Sequence, residues 1–115
     1  MILGGLLLAS TCGIRLRQPN TKLDAWIDTG FTGDLVIPLQ QVVLLGLPLG
    51  PAVPAQLADG SIINLDTYTC LVDWFGAWKE IEVIANQGQF PLLGIGLLLE
   101  RQLNIDYRAK TLSVL

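Results

Sequence analysis

The chain carries ten acidic residues, seven basic residues and no histidine. Histidine-based nucleophilic catalysis and histidine metal sites are therefore excluded, and any acid–base chemistry has to run on carboxylates. One carboxylate is set apart by its surroundings. In Ala25-Trp26-Ile27-Asp28-Thr29-Gly30-Phe31-Thr32-Gly33-Asp34-Leu35-Val36-Ile37-Pro38 an apolar run climbs to Asp28, a Thr-Gly corner follows, and a second apolar run stops at a proline. That pattern reads as a strand, a tight loop and a returning strand. A carboxylate held where a buried strand ends either caps the loop or acts as an acid–base group, and both readings stand at this point. Alone, one carboxylate is a poor general acid–base catalyst. Two of them a few ångströms apart cannot both ionise, so the pair shares a proton and offers an acid and a base together. No second Asp occupies an equivalent corner, so such a partner has to come from a second copy of the chain across a two-fold axis.

The remaining candidates have simpler explanations. Glu80, Glu82, Glu100 and Asp106 fall on outward positions of alternating or helical segments, and Asp59 is a turn residue. Gly94-Ile95-Gly96 is a fragment of a dinucleotide fingerprint without its third Gly or a βαβ setting, which leaves close backbone packing. Cys12 and Cys70 form no CxxC pair, so two buried free thiols are expected rather than a zinc or redox motif. No basic run exists, and no basic residues interleave with Trp26, Trp74 and Trp78, so nucleic-acid binding has no footprint and these rings belong to core or interface. No cofactor and no metal are expected.

At 115 residues the chain is expected to form a single domain over 1–115. Apolar residues make up 51% and charged residues only 15%, an excess that calls for a membrane or a partner subunit to cover it. Membrane is the poorer sink. The uncharged run from Met1 to Ser10 is far short of the roughly 20 residues of a spanning helix. It lacks the basic start of a signal peptide, and Ala9-Ser10-Thr11-Cys12 has Ala where a lipoprotein site needs an aliphatic residue. The expectation is a cytoplasmic protein with a buried subunit interface.

The elements that must position Asp28 follow from periodicity. Met1–Ala9 reads as short extended pieces broken at Gly4-Gly5. Ile14-Arg15-Leu16-Arg17 alternates, Pro19-Asn20-Thr21-Lys22 turns, and Leu23, Ala25 and Ile27 alternate with Asp24, Trp26 and Asp28, which predicts a hairpin. Leu35-Val36-Ile37 is a short buried strand. Leu39, Val42 and Val43 fit two helical turns over 39–45 capped by Gly46. Three prolines over Pro48–Pro54 make a stiff connector. Asp59-Gly60 predicts a hairpin with a type I′ turn, which needs positive φ at both residues. Strands are expected from Thr67 to Trp74, from Lys79 to Ala85, around Leu103–Tyr107 and over Thr111–Leu115, with one or two helical turns over Leu97–Arg101. Even strand spacing and brief helix make an all-β barrel or sandwich.

Three landmarks together, Asp28-Thr29-Gly30 between apolar strands, a hairpin at Asp59-Gly60, and Leu92-Leu93-Gly94 before a short helix, resemble the retropepsin-like aspartic proteases. Within that family the small prokaryotic single-domain branch with an Asp-Thr-Gly-Phe motif is the most similar, and the likeness spans essentially the whole chain. The resemblance implies a homodimeric β-barrel with one or two short helices and one active site at the dimer interface, acting as an aspartic endopeptidase on peptide or protein substrates. Asp28 matches the catalytic residue, one from each subunit activating a water. Thr29 and Gly30 match the loop support, and Phe31 stands where a substrate side-chain pocket would open. Ala58, Asp59, Gly60, Ser61 and Ile62 match the flap, and Leu93 and Gly94 the packing beneath the catalytic loop. The familiar enzymes place Ala, Ser or Thr where this chain has Phe31, and Phe has no hydroxyl to steady the carboxylate. The same resemblance therefore also allows a weakly active or inactive dimer that binds extended peptides by strand addition.

Overall fold

The computed structural model of the chain describes residues 11–17 and 20–115. The extended pieces expected over Met1–Ala9, and Pro19 of the first expected turn, lie outside the described residues. Strand β1 (Cys12–Leu16) pairs antiparallel with β2 (Thr21–Asp28), setting Ile14 opposite Leu23 and Cys12 opposite Ala25. Ile14, Leu16, Leu23, Ala25 and Ile27 are buried while Arg15 and Asp24 face solvent, the period-two outcome of a strand with one face on a core.

Next come β3 (Leu35–Pro38), buried along its length, and helix α1 (Leu39–Leu45). The helix stops at Gly46, whose φ of 63° lets its N–H donate back to the Val42 and Val43 carbonyls. Of the expected apolar face only Val42 is buried, and Val43 is 70% exposed, because two turns of helix offer one contact line to the barrel. The proline-rich connector runs alongside β6 (Thr67–Trp74): the Thr69 N–H donates to the Pro48 carbonyl at 2.9 Å and the Gly50 N–H to the Thr67 carbonyl at 2.7 Å. Between connector and β6, the strands β4 (Val53–Gln56) and β5 (Ile62–Leu65) pair, among the described residues, only with each other.

β6 then pairs along its whole length with β7 (Ala77–Asn86), and β8 (Leu92–Gly94) leads into a 3-10 turn over Ile95–Leu97. The closing hairpin joins β9 (Leu103–Asp106) and β10 (Thr111–Val114). Six strands close a barrel in the order β1-β2-β8-β3-β7-β6. Its interior is filled by Ile14, Leu16, Ile27, Leu35, Ile37, Val72, Val83, Leu93 and Leu97, all aliphatic and many of them β-branched. The fold is all-β, as the spacing of strands predicts.

Two local expectations change. The loop at Asp59-Gly60 is not a two-residue type I′ turn, since only Gly60 has positive φ (88°) and five residues separate β4 from β5. The I′ geometry sits instead at Phe75-Gly76, with φ of 55° and 85°, between the directly paired Trp74 and Ala77. The helical turns expected over Leu97–Arg101 arise earlier, as the 3-10 turn at Ile95, because Glu100 takes a left-handed φ of 65° that ends any helix there. Among the described residues no helix is long and apolar enough to cross a membrane.

Candidate active site

Asp28 is the last residue of β2 and continues the outward set of Asp24 and Trp26, yet it is only 4% exposed. Two features bury it. β8 runs parallel beside β2 and sets Gly94 directly opposite Asp28. The chain after Asp28 then turns back on it: the Gly30 N–H donates to Asp28 Oδ1 at 2.9 Å and the Phe31 N–H to the Asp28 carbonyl at 3.1 Å. The carboxylate is thus gripped by its own loop, an Asx-type turn that also presents Thr29 and Gly30 to solvent.

That loop is fastened to β8 and the turn after it by three main-chain hydrogen bonds of 2.9 Å: Gly94 N–H to Asp34 C=O, Ile95 N–H to Phe31 C=O, and Gly96 N–H to Gly33 C=O. The approach is close enough to demand glycine. A Cβ on Gly94 would strike the Gly33 carbonyl and the Phe31 ring, and one on Gly96 would lie 2.8 Å from the Gly33 carbonyl. Gly94-Ile95-Gly96 is therefore a packing pair. A further residue of the loop, Asp34, has no role that its sequence setting announces. Its Oδ2 accepts the Glu82 N–H of β7 at 3.2 Å, which ties the far end of the loop to the strand that neighbours β3. The signal that could have found it is its place between Gly33 and a wholly buried strand, where a carboxylate needs a backbone donor.

No protein-family model matches the chain, and no curated protein matches it. Solved structures do. The protease of simian foamy virus (mac) superposes with a TM-score of 0.57 at 21% identity, over 78% of this chain and 92% of that one. The EIAV protease in complex with the inhibitor HBY-793 gives 0.55 at 15% identity, covering 78% and 85%. The retroviral protease-like domain of Ddi1 from Leishmania major gives 0.52 at 15% identity, covering 91% and 88%. The chain has a retropepsin-like fold.

Within this retropepsin-like frame, Asp28, Thr29, Gly30, Phe31, Leu93 and Gly94 come together. Leu93 is fully buried in the barrel and Gly94 lies against the loop. Phe31 is half-buried, with its ring lying on Gly33 and Gly94. Ala58 to Ile62 belong to a separate feature, the β4–β5 hairpin, which is exposed along its tip. There Asp59 Oδ1 accepts the Ser61 hydroxyl at 2.6 Å and the Ser61 N–H at 2.9 Å. These bonds, the hydroxyl first, hold the Asp59 carboxyl below its ordinary range. Ile62 at the start of β5 is 69% exposed.

Cys12 and Cys70 are free thiols, and burial raises both, Cys70 to about 11. Among the described residues no three His, Cys, Asp or Glu side chains gather as metal ligands would. Surface clefts of about 450, 380 and 310 Å³ lie beside α1, along β6 and between β1 and β10, and Asp28 lines none of these three. What Asp28 offers in a single copy is a held carboxylate beside an exposed loop.

Proposed function

We propose that the chain is an aspartic endopeptidase of the small prokaryotic single-domain type, working in the cytoplasm as a homodimer. Asp28 of each subunit faces its mate across the two-fold axis. The pair shares one proton: the ionised carboxylate takes a proton from a water as it attacks the scissile carbonyl, and the protonated one donates to the carbonyl oxygen. Thr29 and Gly30 support the loop, and the β4–β5 hairpin closes over an extended substrate. The observation that carries this reading is the buried Asp28 carboxylate, bonded by the Gly30 N–H, at the end of a strand in a retropepsin-like barrel. The exposure of Thr29 and Gly30 beside it supports a partner at that face.

Asp28→Asn is the test. It keeps an oxygen able to accept the Gly30 N–H but removes the ionisable pair, so peptide cleavage at mildly acidic to neutral pH should fall at least about a hundredfold. Unchanged cleavage in the variant, or no cleavage of any peptide by the unmodified chain, overturns the enzyme. In the second case, intact peptide recovered from a tight complex would mark a peptide-binding dimer. The edges of β4 and β5 favour that alternative, since among the described residues neither strand pairs with the barrel.

A further inference from the structure

The loop that holds Asp28, Thr29-Gly30-Phe31-Thr32-Gly33-Asp34, contains two glycines, and a third, Gly94, lies opposite Asp28 on β8. Such a segment has large backbone freedom to lose and few side chains to restrain it. Phe31 is the one large side chain in it. Its main chain is tied at both ends, N–H to the Asp28 carbonyl and C=O to the Ile95 N–H. Its ring occupies space that two glycines leave open. The three atoms nearest a Cβ on Gly33 would all belong to the ring, Cζ first, then Cε1 at 2.9 Å and Cε2 at 3.2 Å. A Cβ on Gly94 would meet ring Cδ2 as well as backbone. Gly94 is the register partner of Asp28, so the ring braces the loop against the strand beside the carboxylate.

We propose that Phe31 is a positioning residue for Asp28: its ring, seated on Gly33 and Gly94, fixes the loop whose Gly30 N–H holds the carboxylate. Packing here does the work that a hydroxyl at the same position could do by hydrogen bonding. The catalytic part of this assignment rests on the proposed endopeptidase reading; the brace itself does not.

The test is a cycle of Gly33→Ala, Phe31→Leu and the pair, made in the full chain. Gly33 is outside the left-handed region, so alanine meets no left-handed strain there and its nearest obstacle is the ring. Leucine lacks the ε and ζ carbons that the methyl added by Gly33→Ala would strike. Gly33→Ala alone should lower kcat/KM about tenfold or more, chiefly through kcat, as a small displacement of a reacting group does. In the Phe31→Leu background it should cost less than about threefold, a coupling of the size seen between touching residues. The Gly30 amide proton gives a second readout that needs no turnover. Its chemical shift and exchange protection report the bond to Asp28, and both should weaken in Phe31→Leu and in Gly33→Ala but no further in the pair.

Additive effects of the two substitutions would overturn the seating of the ring on Gly33. Coupling in thermal unfolding with kcat and the Gly30 amide unmoved in every variant would make Phe31 a stability residue only and overturn positioning. If the unmodified chain cleaves nothing, the endopeptidase reading falls by itself and the Gly30 amide still decides the brace. If Gly33→Ala does not fold, Phe31→Leu alone decides it through the same amide.

Discussion

Asp28 and Asp34 lie six positions apart on one loop, and what bonds each carboxylate separates their roles. Asp34 accepts a strand N–H from β7 and serves as a tie. Asp28 is bonded, among the described residues, within its own loop through Gly30, with β8 closing its other side. An isosteric amide at position 28 keeps an oxygen that accepts the Gly30 N–H, which is why Asp28→Asn tests chemistry rather than folding. The thiols make a separate statement about pH. Burial lifts Cys70 from the ordinary 9.0 to about 11, so the folded chain keeps a proton that the unfolded chain releases between those values. Stability from this group is therefore complete below pH 9 and is lost as pH rises toward 11, by about 2 kcal/mol at most. In urea unfolding followed from about pH 8.5 to pH 11, Cys70→Ala should lose correspondingly less stability than the unmodified chain. Equal losses would show that Cys70 ionises freely in the folded state.

At the scale of elements, the β6–β7 hairpin sets two effects against each other. Phe75 takes φ 55° in the I′ turn, a conformation that costs a non-glycine residue roughly 1–2 kcal/mol. Its ring returns something: an edge-on contact with Trp74 at 4.9 Å and the Arg101 guanidinium 3.7 Å above it. Those are worth about 0.5–1.5 and about 0.5–1 kcal/mol. The contacts slightly outweigh the strain, so Phe75→Asn, which suits the turn, should destabilise by less than about 1 kcal/mol in chemical denaturation. In an Arg101→Ala background the same change should be neutral or stabilising. A clear gain without the second substitution would mean the ring contacts contribute nothing. This turn also marks where sequence reading stopped. Asp59-Gly60 has the better turn composition, but its flanking strands leave five residues to close, whereas Trp74 and Ala77 are in direct register across Phe75-Gly76. The β1–β2 hairpin, the last two strands and the Gly46 cap were legible because alternation and a cap are local. The parallel pairings of β2 with β8 and β3 with β7 were not, since strands about 65 and 50 residues apart are matched by the shape of the closed barrel rather than by any local pattern. Asp28 was legible as a site candidate for the opposite reason, an acid stranded between apolar runs, while Gly94 acquired its place only once β8 was laid beside β2.

The whole molecule leaves apolar surface uncovered. Leu44 is 85% exposed and Leu49, Ile62 and Leu99 more than half, so the apolar excess of the composition is not absorbed by one barrel. The proposed shared site requires a second copy of the chain, and such a copy would be one cover for this surface. If the active species is a dimer with one shared site, activity per chain must fall on dilution in proportion to concentration once monomer predominates, by about tenfold for each tenfold dilution. Dilution alone does not tell a shared site from two separate ones. Mixing does. Equal amounts of the unmodified chain and Asp28→Asn, exchanged to equilibrium, give about one quarter unmodified homodimer, one half mixed dimer and one quarter variant homodimer by random pairing of symmetric subunits. A site that needs both carboxylates works only in the first species, so cleavage should settle near a quarter of that of the same total amount of unmodified chain. Independent sites, one per subunit, would leave a half. A value of one half with normal dimerisation in sedimentation would overturn the shared pair and return Asp28 to a role inside a single subunit.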